Sequence, residues 1–316
     1  MWIDQLLKTI DNYNSQPVLL SAEMDLEHLK ATPVEHVKLF SSEFLGIWQD
    51  CPREAAQMSA FCNELYSKYL SHMGYPLFVN SSAGTEHCAF GSVDLFYSDY
   101  YFNVLCTGAV GKAQQRTHKA MERPWDNRAN FETVLEVGAG PGGHLPFVRH
   151  RYKHYIQADI RRFEQVNNVD DSRALSHLAD AQNLPYANDS FDRLIASCLL
   201  LHLRDPEKAL VEWRRVTRDC GVITVLVPTE PGFMLRLSRK MLTEPKSRRF
   251  GFAGYQLFNA RDHRNHFHGL RQQIRHVFRH DRIQENRFPF RVPSWNLNLY
   301  VVFQISVQKV DDHGDF

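Results

Sequence analysis

The spacing of apolar and polar positions divides the chain into two parts. Over residues 53–70, Ala56, Met58, Phe61, Leu65 and Leu70 recur near one face at helical spacing, and the first 75 or so residues read as helical throughout. A turn-rich patch follows, with Pro76, the run Asn-Ser-Ser-Ala-Gly at 80–84, and Gly91. Residues 1–95 are therefore expected to form a helical cap or lid. Residues 96–316 form the expected core, opening with the aromatic cluster 96–102 and a further helical stretch to Met121. From residue 133 short β-rich runs alternate with helical ones. The strands fall at 133–137, 154–158, 191–197 and 221–227, the last stopped by Pro228. Between the last two, Asp205 is an N-cap and Pro206 a first helical residue, opening a helix that runs to Val216. Strands alternating with helices imply right-handed crossovers and a mostly parallel α/β sheet. The end of the chain differs. Residues 282–290 and 297–307 read as two longer strands joined through 292–295, an antiparallel hairpin on one edge.

Composition adds limits rather than a direction. Of the 316 residues, 43% are apolar, which suits a folded chain with a sizeable core. A formal net charge of +1 creates no global field that would draw nucleic acid or a membrane surface. No window approaches the roughly 18 unbroken apolar residues of a membrane helix, since the best run, 194–203, already contains Ser197 and His202. Asp4 stands where a signal peptide would be basic, so a cytoplasmic location is expected. The six cysteines show no C-x-x-C spacing and read as small buried hydrophobes, with neither a disulfide framework nor a zinc site.

The chemistry concentrates after residue 134. An apolar strand enters a loop with glycines at 138, 140, 142 and 143, and a helix is expected beyond it. Glycine permits positive φ and lets backbone approach a ligand closely. Gly138-x-Gly140-x-x-Gly143 formally fits a dinucleotide fingerprint, and Asp159, about 20 residues on, fits a ribose-binding acid in that class too. The following acidic turn separates the readings. Asp180 leads through Leu-Pro-Tyr-Ala-Asn-Asp-Ser-Phe-Asp at 184–192 to Ser-Cys-Leu-Leu-Leu-His-Leu at 197–203 and Asp-Pro-Glu-Lys-Ala-Leu at 205–210. In these motifs, over residues 130–228, the chain resembles the class I, Rossmann-like S-adenosylmethionine-dependent methyltransferases, most closely the group that includes the ubiquinone and menaquinone C-methyltransferases. The resemblance implies S-adenosyl-L-methionine as cofactor. It implies Glu136, Gly138, Gly140 and Gly142 around the methionine portion, Asp159 on the ribose, Asp180 and Ala181 on the adenine, and Ser197 beneath the sulfonium. The usual Pro-Gly-Gly before the fifth strand is Asp219-Cys220-Gly221 here, and His144 follows the loop where many relatives carry a small or polar residue.

Methyl transfer to a hydroxyl or amine also needs a base and an aligned acceptor. His202 stands just after a strand, at the carboxyl edge of the sheet, and is the first candidate. Tyr100 and Tyr101 offer aromatic faces to a sulfonium or a closing lid. Fourteen Lys or Arg fall within 235–291 against four acids, and the segment's centre carries Arg261 and His266 as candidate contacts to a substrate anion. His263, His266 and His268 lack an acidic or cysteine partner at ligand spacing, so no metal is expected. The main expectation is a methyltransferase acting on a small molecule, possibly an anion. An RNA methyltransferase, or another use of the same cofactor such as cyclisation or aminopropyl transfer, stands as the alternative. The oligomeric state is not legible.

Overall fold

The computed structural model describes residue 101 and residues 106–161, 171, 173–249 and 255–309. The expected cap at 1–95 and Tyr100 lie outside the described residues.

Helix α1 (Gly108–Met121) leads into strands β1 (Asn130–Val137), β2 (Arg151–Asp159), β3 (Ala174–Leu178) and β4 (Phe191–Ser197). Helix α2 (Pro206–Val216) and strand β5 (Thr217–Pro228) follow. A helical run comes next: α3 (Phe233–Ser238), a π-helical turn (Arg239–Thr243) and α4 (Glu244–Arg249). Helices α5 (Tyr255–Asp262) and α6 (Phe267–Val277) precede the final strands β6 (Arg282–Phe288) and β7 (Tyr300–Ser306). The strand order is β3-β2-β1-β4-β5-β7-β6. The first five strands pair in parallel, while β7 is antiparallel to both β5 and β6. This is the expected Rossmann-like sheet with a C-terminal hairpin, and the order reverses between β1 and β4. Ligands of open parallel sheets sit outside the carboxyl ends at such a reversal.

Residue chemistry accounts for the elements. The inner strands are buried on both faces, and β4 is buried from Phe191 through Ala196, as covered parallel strands must be. One face packs Leu135, Ile156, Leu194 and Val225 against Leu210 and Trp213 of α2 and Leu270 and Ile274 of α6. The other gathers Val134, Tyr155, Ile195 and Val302 around Met121 and Leu145. The Asp205 carboxylate accepts from the Lys208 N–H at 3.0 Å with Pro206 behind it, which is the start the sequence indicates for α2.

Two local expectations fail. Strand β3 escaped the sequence pattern because Ala-Leu-Ser-His-Leu carries no β-branched residue and is placed by pairing with β2. The helix expected after the glycine loop is a three-residue 3-10 turn, Leu145–Phe147. Strand β2 begins at Arg151, three residues before the apolar run, because Asn130 and Phe131 pair with Arg151 and Tyr152. Extending the ladder consumes the residues a helix would need. Within β5, Cys220 itself takes the left-handed conformation, at φ 58°, where relatives' usual glycines are replaced.

A buried polar network supports the loop from below. The Arg193 guanidinium of β4 is fully buried and donates to both Glu122 oxygens, at 3.0 and 2.6 Å. It also lies 5.3 Å from the Trp125 ring and 5.6 Å from Phe131. Glu122 Oε1 pairs with His144 Nε2 at 2.9 Å, and His144 Nδ1 faces His118 Nδ1 at 2.9 Å. Burial alone would raise the Glu122 carboxyl, but Arg193 and His144 together hold it far below the usual carboxylate range. His144, a departure from the family pattern, is thus the post that ties the glycine loop to the end of α1.

Candidate cofactor and acceptor site

Gly138, Gly140 and Gly142 all have positive φ, at 69°, 55° and 81°. At Gly138 the requirement is double, since a Cβ there would sit 2.8 Å from Leu199 Cδ1. The turn folds back on the end of β2. The Gly138 and Ala139 amides donate to the Ala158 carbonyl at 2.8 and 3.2 Å, and the Gly140 amide donates to Asp159 Oδ2 at 2.9 Å. Asp159 Oδ1 accepts from the Arg161 amide at 2.9 Å. Burial raises the Asp159 carboxyl above its ordinary value, against the pull of the Arg161, Gly140 and Ile160 amides.

Asp180 and Ala181 occupy the loop after β3. Asp180 Oδ1 accepts from the Gln182 amide at 2.9 Å, and the Ala181 carbonyl accepts from the buried Trp213 indole at 3.1 Å, so α2 fixes this loop. Ser197 ends β4. Glu136, in contrast, turns into the face beneath the loop, where Tyr155 donates to its Oε2 at 2.9 Å, and burial raises its carboxyl. The structure therefore brings the glycine loop, Asp159, Asp180, Ala181 and Ser197 to the carboxyl end of the sheet and sets Glu136 behind them. The shape of the loop also separates the two cofactor readings. A dinucleotide rests its pyrophosphate on the N-terminus of the helix after the glycines. Here a single 3-10 turn stands in that place, preceded by the buried His144.

The acceptor side is built from β4, β5 and α5. Cys198 follows Ser197 with φ 56°, which turns the chain sharply toward His202, and burial pushes its thiol up to about 12. Tyr101 accepts from Gln114 Nε2 at 2.9 Å, and burial raises its hydroxyl well above the ordinary value. His202 Nδ1 lies 3.0 Å from Asp262 Oδ2, and its ring meets that of His263 edge to face at 4.8 Å. His263 Nδ1 in turn contacts Glu230 Oε1 at 2.7 Å, and Glu230 also pairs with Arg239 in the π-helical turn. Burial would raise Glu230, but His263 and Arg239 bring it down to about 2.

This cluster corrects the sequence reading of the histidines. His266 is exposed at the start of α6, whereas Asp262 and His263, beside it in sequence, point to His202. Arg261 lies on α5. Glu230 was missed altogether, although its place just past the end of β5 is where such sheets put functional groups. The local excess of positive charge is also partly spent: Arg271, Arg275 and Arg287 all converge on the half-buried Glu285.

Comparison with known proteins agrees with this geometry. Residues 135–225 match the family model described as a methyltransferase domain. A phosphatidylethanolamine N-methyltransferase of Cereibacter sphaeroides is 29% identical over 100 residues, covering 29% of this chain and 49% of that protein. The chloroplastic 2-methyl-6-phytyl-1,4-hydroquinone methyltransferase 1 of rice, Oryza sativa subsp. japonica, is 29% identical over 107 residues, covering 32% of each. The chain thus spans half or less of the length of these curated relatives. Among solved structures, phosphoethanolamine N-methyltransferase 2 of Haemonchus contortus aligns with a TM-score of 0.44 at 13% identity, covering 68% of this chain and 57% of that one. Among the described residues no helix is long and apolar enough to cross a membrane. Residues 135–225, which hold the glycine loop, Asp159, Asp180 and Ser197, thus match a methyltransferase-domain model and lie in a sheet of Rossmann-like order.

Proposed function

We propose that this chain transfers a methyl group from S-adenosyl-L-methionine to a small molecule held against the ends of β4 and β5. The observation that carries the proposal is the glycine turn closed on Asp159 together with the acidic turn at Asp180 after the third strand. S-adenosylmethionine, when bound, supplies the activated methyl as a sulfonium. Asp159 accepts the ribose hydroxyls, Asp180 and Ala181 face the adenine, and Ser197 lies under the reacting end. Titrating the protein calorimetrically with S-adenosylhomocysteine and with a nicotinamide dinucleotide tests the assignment. Heat with the first alone is expected, and heat with the dinucleotide alone overturns it.

His202, paired with Asp262, is proposed as the base that takes the acceptor's proton. The Cys198 thiol, pushed up to about 12, stays protonated and is no nucleophile. Tyr100, Tyr101, Arg261 and His266 are proposed as the substrate wall, with residues 1–95 as its lid. A small anionic acceptor is favoured over RNA, a reading supported by the near-zero net charge and by the arginines spent on Glu285. Salt separates the two. RNA held through six to ten phosphates loses about three to five decades of affinity between 50 and 200 mM salt, and a single enclosed anion loses far less.

A further inference from the structure

The polar cluster at the acceptor side holds more than proton transfer requires. A histidine and an orienting carboxylate suffice for a base, and His202 with Asp262 already make that pair. Yet His263 is brought against the same point, so that one donor atom from each of His202, Asp262 and His263 lies within 4.8 Å of the other two. Behind His263, Glu230 grips Nδ1 with both oxygens, at 2.7 and 2.8 Å. Carboxylates in that position orient metal-binding histidines and raise their basicity.

The backbone is organised around this meeting. The Asn265 side chain donates to the carbonyls of Leu203 at 2.7 Å and Leu200 at 3.0 Å, which ties the end of α5 to the loop bearing His202. The Arg264 amide adds a bond to Leu201 at 2.9 Å, and the Phe267 amide donates to the Glu230 carbonyl at 2.9 Å. Three separate segments are thus cross-braced where the three side chains converge. Asp262 and Glu230 bring two carboxylates to the cluster, donors that suit a cation.

We infer that His202, Asp262 and His263 form a binding site for one divalent first-row transition metal ion, with Glu230 as the carboxylate that orients His263. Two histidines and one carboxylate suit zinc or iron rather than magnesium or calcium, which prefer all-oxygen shells. Ligand atoms about 2.1 Å from a common ion lie about 3.0–3.4 Å apart, and the 3.0 Å between His202 Nδ1 and Asp262 Oδ2 meets this already. Three protein ligands would leave a coordination position open. The catalytic use of the ion rests on the methyl-transfer reading. In that use His202 would serve as a ligand in place of the base proposed above, and the ion would supply Lewis acidity that lowers the pKa of an acceptor hydroxyl, whose proton would pass to water. Binding of the metal itself does not depend on that reading.

The test is a zinc titration of chelator-stripped protein against a chromophoric competitor, repeated with cobalt to read ligand-field absorption. One equivalent is expected to bind at micromolar affinity or tighter. His202→Ala, Asp262→Asn and His263→Ala should each weaken binding at least 100-fold, and Glu230→Gln about 10–100-fold. His268→Ala, an exposed neighbour, should leave affinity unchanged. Unfolding midpoints in chelator confirm that each variant is folded, and Asp262→Asn keeps the shape of the site if an alanine variant fails that check. Wild-type protein that binds no better than Asp262→Asn overturns the metal site and leaves the His202–Asp262 pair as a proton-transfer dyad. Binding lost in His268→Ala but retained in His263→Ala overturns it equally.

Discussion

Replacing Gly138 by alanine perturbs the site at one atom, and the structure states what that atom meets. An added Cβ would lie 2.8 and 2.9 Å from the two Leu199 methyls and 3.1 Å from Leu199 Cγ, in a backbone held at φ 69°. The left-handed conformation costs a residue with a Cβ about 1–2 kcal/mol. Forcing the leucine aside adds about 1–3 kcal/mol of overpacking. Gly138→Ala is therefore expected to destabilise the fold by about 2–5 kcal/mol, read from urea unfolding as a lower midpoint at constant slope. The two contributions separate in a double-mutant cycle with Leu199→Ala. Trimming Leu199 removes the clash and leaves the φ cost, so the double variant should be more stable than the sum of single effects by about 1–3 kcal/mol. The same substitution displaces the Gly140 amide that holds Asp159, so affinity for S-adenosylhomocysteine should fall with stability intact enough to measure it. A Gly138→Ala protein within about 0.5 kcal/mol of wild type refutes the steric argument, and strict additivity in the cycle refutes the role of Leu199.

Other outcomes follow from the same structure. Asp159→Ala should weaken S-adenosylhomocysteine binding by about 1.5–3 kcal/mol in calorimetry, the scale of a charged hydrogen-bond partner. Arg193→Met should cost about 3–5 kcal/mol in denaturant unfolding because it strands the buried Glu122 carboxylate, and Glu122→Gln in the same chain should recover part of that loss. Burial lowers His177 to about 3 and His150 to about 4, both under 5% exposed. Their folded values lie below the ordinary 6.5, so the unfolded chain takes up the proton first and stability falls as pH drops below about 6.5. At pH 5 each histidine should cost about 2 kcal/mol, a loss that His177→Gln and His150→Gln should each reduce in pH-dependent melts. Arg261→Ala should raise the Michaelis constant for the acceptor and leave cofactor affinity near wild type, as a fit to initial rates will show.

Much of the cofactor half was legible in the linear order of residues. Glycines at 138, 140 and 142, the acid at 159 and the acidic turn at 180 act within a few residues of a strand end, and strand ends follow from local apolar runs. The cap of α2 was legible for the same reason, since Asp205 and Pro206 act on the next turn of their own helix. Strand β3, and the loss of a helix after the glycine loop, were not. Both are settled by ladder pairing with a neighbouring strand, which no local propensity encodes. The acceptor side escaped more completely. His202, Glu230, Asp262 and His263 are scattered over some sixty positions, and only the docking of α5 through Asn265 onto the loop after β4 makes them neighbours. Periodicity and capping reveal contacts made within an element or at its ends. The partners of His202 and Glu230 lie on different elements, so packing alone decided which histidines of the basic segment face the site and which face water.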